Sequence, residues 1–179
     1  MINEKWIHTG SGPHYMEGWL NFDMNNWDAW DKQPDVLCSI YDMPFKTGQA
    51  EKFYCGHILE HLVWESVPDA LKEVKRVMAP GGVLCVVGPC MDKAIATGQP
   101  QWLLDEIPAG WIGEGVPDGF PHRWTATTAL TRQALETTFD ADKIVEVPIT
   151  AVHLPYWPNT APSIPPVCGM WQCAFVVTR

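Results

Sequence analysis

Short apolar runs alternate with helical patterns through the first half of the chain, an alternation that predicts an α/β sheet. Residues 6–9 read as a first strand that stops at Gly10-Ser11-Gly12-Pro13, and residues 20–23 as a second. Residues 35–39 and 51–55 read as a third and a fourth, the latter stopped by Gly56. Residues 83–87 form an unbroken apolar run, as expected of a central strand covered on both faces. The clearest helical pattern precedes it. Val67, Leu71, Val74 and Met78 recur at helical spacing, while Lys72, Lys75 and Arg76 take the other face. Ser66 is the expected N-cap, with Asp69 three residues on, and Pro80-Gly81-Gly82 is the expected stop. A second helix is predicted over residues 127–138, with Leu130, Ala134 and Leu135 inward, and residues 143–149 and 172–178 close the fold as strands. Two stretches keep neither period: residues 90–124, and the proline-rich residues 148–168. Loops this long in a compact domain are usually functional lids or interfaces.

Composition narrows this picture. The chain has 179 residues, 46% apolar and 18% charged, which is one folded domain and excludes disorder. Twelve Lys and Arg stand against 21 Asp and Glu, a net charge of −9, so nucleic acid is not an expected partner. No apolar run is long enough to cross a membrane, and the opening residues lack the apolar stretch of a signal peptide, so a cytoplasmic location is expected. Cys38, Cys55, Cys85, Cys90, Cys168 and Cys173 form no C-x-x-C pair and read as reduced thiols. No metal is expected, because no carboxylate pair and histidine recur at close spacing.

Candidate chemistry begins after the first strand. Glycines at 10 and 12 let a ligand approach the backbone, and Asp23, ending the second strand, is placed to accept from two ribose hydroxyls. Only eleven positions separate Gly12 from Asp23. That is too few for the full helix a nicotinamide dinucleotide needs at its pyrophosphate.

Ile7-His8-Thr9-Gly10-Ser11-Gly12-Pro13 followed by Gly18-Trp19-Leu20-Asn21-Phe22-Asp23 resembles the glycine loop and second strand of class I S-adenosylmethionine-dependent methyltransferases, closest to the compact type 11-like branch. Met43-Pro44-Phe45 resembles that family's L-P-F step. His57-Ile58-Leu59-Glu60-His61-Leu62 resembles its H-v-L-E-H-l segment, and residues 76–84 its R-v-L-k-P-G-G-x-L. The blocks fall in the family's order over residues 7–89, and His122-Arg123-Trp124 resembles its later pattern.

The resemblance implies a doubly wound, Rossmann-like sheet of seven strands with the last antiparallel. It implies a single domain over residues 1–179, with a long loop insertion at 91–123 and a proline-rich loop at 148–168. It also implies roles. Gly10, Ser11 and Gly12 would pass the methionine end of S-adenosylmethionine, Asp23 would bind the ribose, and Met24 would pack on adenine. Ser39 and the amide of Ile40 would meet the adenine amino group, and Gly56 and His57 would line the sulfonium end. The sequence departs from the pattern at His8, Ser39 and Glu51, where acidic, aspartate and aspartate residues are usual. It also begins almost at the first strand, so cover over the cofactor is expected from a long loop or a second subunit in a homodimer.

A hydroxyl acceptor needs a base, and a histidine near neutral pKa suits the task. His57 and His122 are the two candidates. Glu60-His61 reads as structural, His8 as a core histidine, and His153 as an ordinary loop residue. His14 and Tyr15 follow the glycine loop, near the expected place of the methionine carboxylate. Trp102, Trp111, Phe120, Trp124, Tyr156 and Trp157 are candidates to wall an acceptor site. The expectation is a methyltransferase acting on a small-molecule or glycan hydroxyl, with residues 91–123 folded over the acceptor side and His122 pointing into the pocket. A non-catalytic S-adenosylmethionine-binding protein, or an enzyme that cleaves that cofactor, stays open as the alternative.

Overall fold

The computed structural model describes residues 3–26, 31–109, 121–149 and 172–179. Strands β1 (Asn3–Thr9), β2 (Trp19–Asp23), β3 (Val36–Leu37), β4 (Ala50–Gly56), β5 (Met78–Pro89), β6 (Ile144–Val147) and β7 (Gln172–Thr178) form one seven-stranded sheet in the order β3-β2-β1-β4-β5-β7-β6. The first five pair in parallel, and β7 runs antiparallel to both β5 and β6. The expected sheet with an antiparallel last strand is therefore present. Strand order reverses between β1 and β4, and in an open α/β sheet such a switch opens a crevice at the C-terminal strand ends. Gly10 follows β1 there, and His57 follows β4.

Alternation along the strands splits the sheet into two faces. One carries Ile7, Phe22, Phe53, Leu84 and Phe175, packed with Val67, Leu71 and Val74 of α1 (Val67–Val77) and Leu135 of α4 (Thr128–Glu136). Each such side chain contributes about 1.5–3 kcal/mol by leaving water. The other face gathers Met16, Tyr54, Val87 and Ala174, with Trp19 and Cys85 packed against them. None of the described helices is long and apolar enough to cross a membrane.

The inward face of α1 is the expected one, but both its ends differ. Ser66 is itself helical in backbone and makes no side-chain cap; its hydroxyl donates to the Val63 carbonyl at 2.8 Å. The stop comes at Val77, before the proline and glycines, because Met78 already pairs with Ala50 in the sheet. Pro80-Gly81-Gly82 instead forms an irregularity inside β5, with Gly81 at φ +75°. Arg76, expected on the solvated face, reaches back to the carbonyls of Met43 and Phe45 at 3.0 and 2.9 Å while paired with Glu73 at 2.7 Å. Two of the sequence blocks are thus one clasp.

The third strand is shorter than expected, since the Asp35 carboxylate turns to the Asn21 amide and the Tyr15 hydroxyl, each at 2.8 Å. The stretch read as a loop insertion at 91–123 is helical in its first part: α2 (Met91–Ala96) and α3 (Gln101–Ala109) bury Ala94, Leu103 and Ile107 against each other. Pro108 sits in the last turn of α3, so its missing amide costs one hydrogen bond at the fraying end. Cys38, Cys55, Cys85, Cys90 and Cys173 are free thiols.

Candidate functional site

The glycine loop is held from below. Asn21 is fully buried; its side-chain oxygen accepts from the Met16 amide at 2.7 Å and from His8 Nδ1 at 2.8 Å. Its amide nitrogen donates to the carbonyls of Met16 and Trp19, both at 2.9 Å. These bonds fix the short turn between β1 and β2 without a helix. Burial pushes the His8 imidazole down to about 4, so it is neutral at pH 7, a core histidine as expected.

Gly10 and Gly12 both take positive φ, +60° and +49°. A Cβ on Gly10 would stand 1.8 Å from Ile58 Cδ1, so the loop lies tightly on the segment after β4. A Cβ on Gly12 would meet nothing nearer than 4.0 Å, which leaves open space over that glycine. Ser11 is buried, and its hydroxyl finds no hydrogen-bond partner among the described residues. The Asp23 carboxylate accepts from the Gly12 amide through one oxygen and the Asn25 amide through the other, each at 2.9 Å. Asp23 therefore fixes the glycine loop, and each oxygen keeps a further lone pair for a ligand. Met24, one residue on, is 73% exposed, and Leu37, in register with Asp23, is 54% exposed. Two bare apolar side chains at a sheet edge suit a flat ring. Leu37 was not singled out from the sequence. Ser39 caps a tight turn, its hydroxyl accepting from the Tyr41 amide at 3.2 Å, and the Ile40 side chain is in the core. Glu51 pairs with Lys5 at 2.7 Å on the exposed start of β4.

Across the crevice, Gly56 is required because the Tyr54 ring would lie 2.6 Å from a Cβ there. His57 is the one non-glycine residue with positive φ among the described residues, at 55°. Left-handed backbone costs such a residue about 1–2 kcal/mol, and strain of this kind clusters at functional sites. Its ring is held at both nitrogens. Nδ1 lies 3.3 Å from Glu60 Oε1, and Nε2 lies 2.8 Å from the side-chain nitrogen of Gln172. An amide nitrogen only donates, so Nε2 holds the lone pair and the Nδ1–H faces the carboxylate. Glu60 is 2% exposed. Burial pushes its carboxyl up, but His57 first, then His61 and His122, outweigh this and hold it below the usual carboxylate range. Gln172 was missed in the sequence; the signal was a polar residue opening an otherwise apolar strand.

Residues 121–124 dock on the turn after His57. The Arg123 amide donates to the Glu60 carbonyl at 2.7 Å, and Trp124 Nε1 donates to the Leu59 carbonyl at 3.0 Å. Trp124 also stacks edge-on against Trp64, ring centroids 5.0 Å apart, so it is a packing residue rather than an acceptor wall. His122 comes to rest beside His61, ring centroids 4.8 Å apart, with Nδ1 bonded to the Ile107 carbonyl. Trp102 is 59% exposed on α3, and His14 is exposed on the glycine loop. Trp111, Phe120, His153, Tyr156, Trp157 and Cys168 lie outside the described residues, as does the proline-rich loop from residue 150 on.

Comparison with known proteins agrees with this fold. Residues 22–86 match the family model described as a methyltransferase domain. None of the curated proteins matches the chain. Among solved structures, geranyl diphosphate C-methyltransferase from Streptomyces coelicolor A3(2) is similar, with TM-score 0.56 and 14% identity over 98% of this chain and 71% of that one. A putative O-methyltransferase from Nostoc punctiforme gives 0.57 and 10%, covering 99% of this chain and 53% of its own. An S-adenosylmethionine-dependent methyltransferase from Archaeoglobus fulgidus gives 0.56 and 10%, covering 97% and 85%.

Proposed function

From the premise that residues 22–86 carry a methyltransferase domain, within a sheet of the same fold as solved methyltransferases, we propose that this protein transfers the methyl group of S-adenosylmethionine to a hydroxyl of a small-molecule or glycan acceptor. The residues present fit that cofactor. Open space over Gly12, the buried Ser11 hydroxyl and the remaining lone pairs of Asp23 line one edge, and Met24 and Leu37 stand bare beside them. When bound, the cofactor supplies a sulfonium-activated methyl group, so the chain's task is mainly positioning. Gly10–Gly12 pass the methionine end, Asp23 holds the ribose, and Met24 and Leu37 flank the adenine, with Ser39 and the Ile40 amide at its rim. Gly56 and His57 face the reacting end.

The observation that carries the reading is His57, held in left-handed backbone at the switch point with its ring between Glu60 and Gln172. Its Nε2 takes the proton of the acceptor hydroxyl, displacing Gln172, while Glu60 stabilises the imidazolium through Nδ1–H. An acceptor carbon with no proton to lose would have less use for this pair. His122, the other candidate base, acts beside Glu60 and His61 and not as the first proton acceptor. The reading keeps a cytoplasmic enzyme without nucleic-acid partners, its remaining cover coming from the long loops or a second copy.

A crystal structure with S-adenosylhomocysteine tests this. The expected result is a ribose on the Asp23 carboxylate and a sulfur atom facing His57. A ligand bound elsewhere, with the Asp23 carboxylate untouched, overturns the assignment.

A further inference from the structure

Beside the base lies a cluster of which the proposed methyl transfer uses only Glu60. Glu60, His61 and His122 each bring a ligand-type atom to within 4.8 Å of the others. His61 Nδ1 is 3.3 Å from the Pro121 carbonyl, and His122 Nδ1 is bonded to the Ile107 carbonyl. A carbonyl only accepts, so both rings carry their proton on Nδ1 and present Nε2 as the basic nitrogen. Metal-binding histidines are oriented in this way, the remote nitrogen donating to a backbone carbonyl. Glu60 supplies the third donor. It is buried, with its Oε1 3.3 Å from His57 Nδ1.

We propose that Glu60, His61 Nε2 and His122 Nε2 form a binding site for a divalent transition-metal ion of the zinc class. Two imidazoles and one carboxylate, with a fourth position left for water or substrate, are a catalytic-zinc set. Their mixture of nitrogen and oxygen donors is too soft for calcium or magnesium. A cation there also offsets the buried carboxylate. The site is assembled by the docking of residues 121–124 on the turn at 59–61, which brings His122 across 61 positions of sequence to His61. The ion would lie on the Glu60 side of His57, at Nδ1 and opposite the Nε2 that takes the acceptor proton in the proposed methyl transfer.

The test uses the full chain, stripped with a chelator and dialysed. Cobalt(II) is titrated in and read by its visible absorption, and zinc is followed by calorimetry. The expected result is one ion per chain, with the intense visible bands of a low-coordinate site. In separate His61→Ala and His122→Ala variants, checked for folding by circular dichroism, affinity falls by about 100-fold or more. No cobalt spectrum and no zinc heat in the wild type overturns the proposal. So does unchanged affinity in the folded His122→Ala variant, or near-ultraviolet thiolate bands that assign the ion to cysteines. S-adenosylhomocysteine is titrated into the same samples. Its binding without metal binding sinks the metal site alone, whereas metal binding without it leaves the site standing and sinks the methyl-transfer reading.

Discussion

At the scale of single residues, His57 joins backbone strain to the proposed base. Asparagine tolerates left-handed backbone better than other non-glycine residues but lacks a basic nitrogen. His57→Asn should therefore fold, bind S-adenosylhomocysteine within a few-fold of wild type, and lose about 10²–10⁴-fold in turnover. Comparable loss of ligand affinity would make His57 a binding residue instead. Asp23 was singled out in the sequence by its spacing from the glycines. Its hold on the glycine loop was not legible there. Bonds from Asp23 to the Gly12 and Asn25 amides are set by the path of the loop, which a residue type does not record. Gln172 was illegible for a plainer reason: it lies 115 positions from His57, and only the antiparallel pairing of β7 with β5 brings it there.

At the scale of elements, the strands and the inward face of α1 followed from periodicity, whereas ends and caps did not. Helix α1 stops where sheet pairing of Met78 begins, a tertiary cause invisible in local propensity. Helices α2 and α3 were hidden by Pro100 and Pro108, which read as breakers although they stand at the margins of α3. The Arg76–Glu73 pair shows what a sequence block can encode: a charged clasp binding α1 to the carbonyls of Met43 and Phe45. Charge-assisted bonds of this kind contribute about 1.5–3 kcal/mol. Arg76→Ala should thus lower the urea midpoint by a stability loss of about 2 kcal/mol without changing the slope. A midpoint within error of wild type would show that water replaces the clasp.

At the scale of the whole molecule, a seven-stranded sheet with its last strand antiparallel was implied by family resemblance and is present. The crevice then follows from topology, and the site is what several distant segments bring to it. Folding should also carry a pH signature. His8 titrates near pH 6.5 when unfolded and about 4 in the fold, where burial disfavours its charged form. Between those values the unfolded chain binds the extra proton, so stability is full above pH 6.5 and falls as pH drops toward 4. The loss should reach roughly 3 kcal/mol, and His8→Gln should remove this share of it. A pH profile of urea midpoints that is the same for both proteins would contradict the assignment. The central claim, that the crevice between β1 and β4 holds S-adenosylmethionine, is tested most directly by calorimetry with S-adenosylhomocysteine on wild type and Asp23→Ala. The account predicts one site per chain of micromolar affinity in the wild type. In the variant the affinity should fall by roughly ten- to a hundredfold, as charge-assisted ribose bonds worth about 1.5–3 kcal/mol are lost. No heat at millimolar ligand, or the same affinity in both proteins, would contradict it.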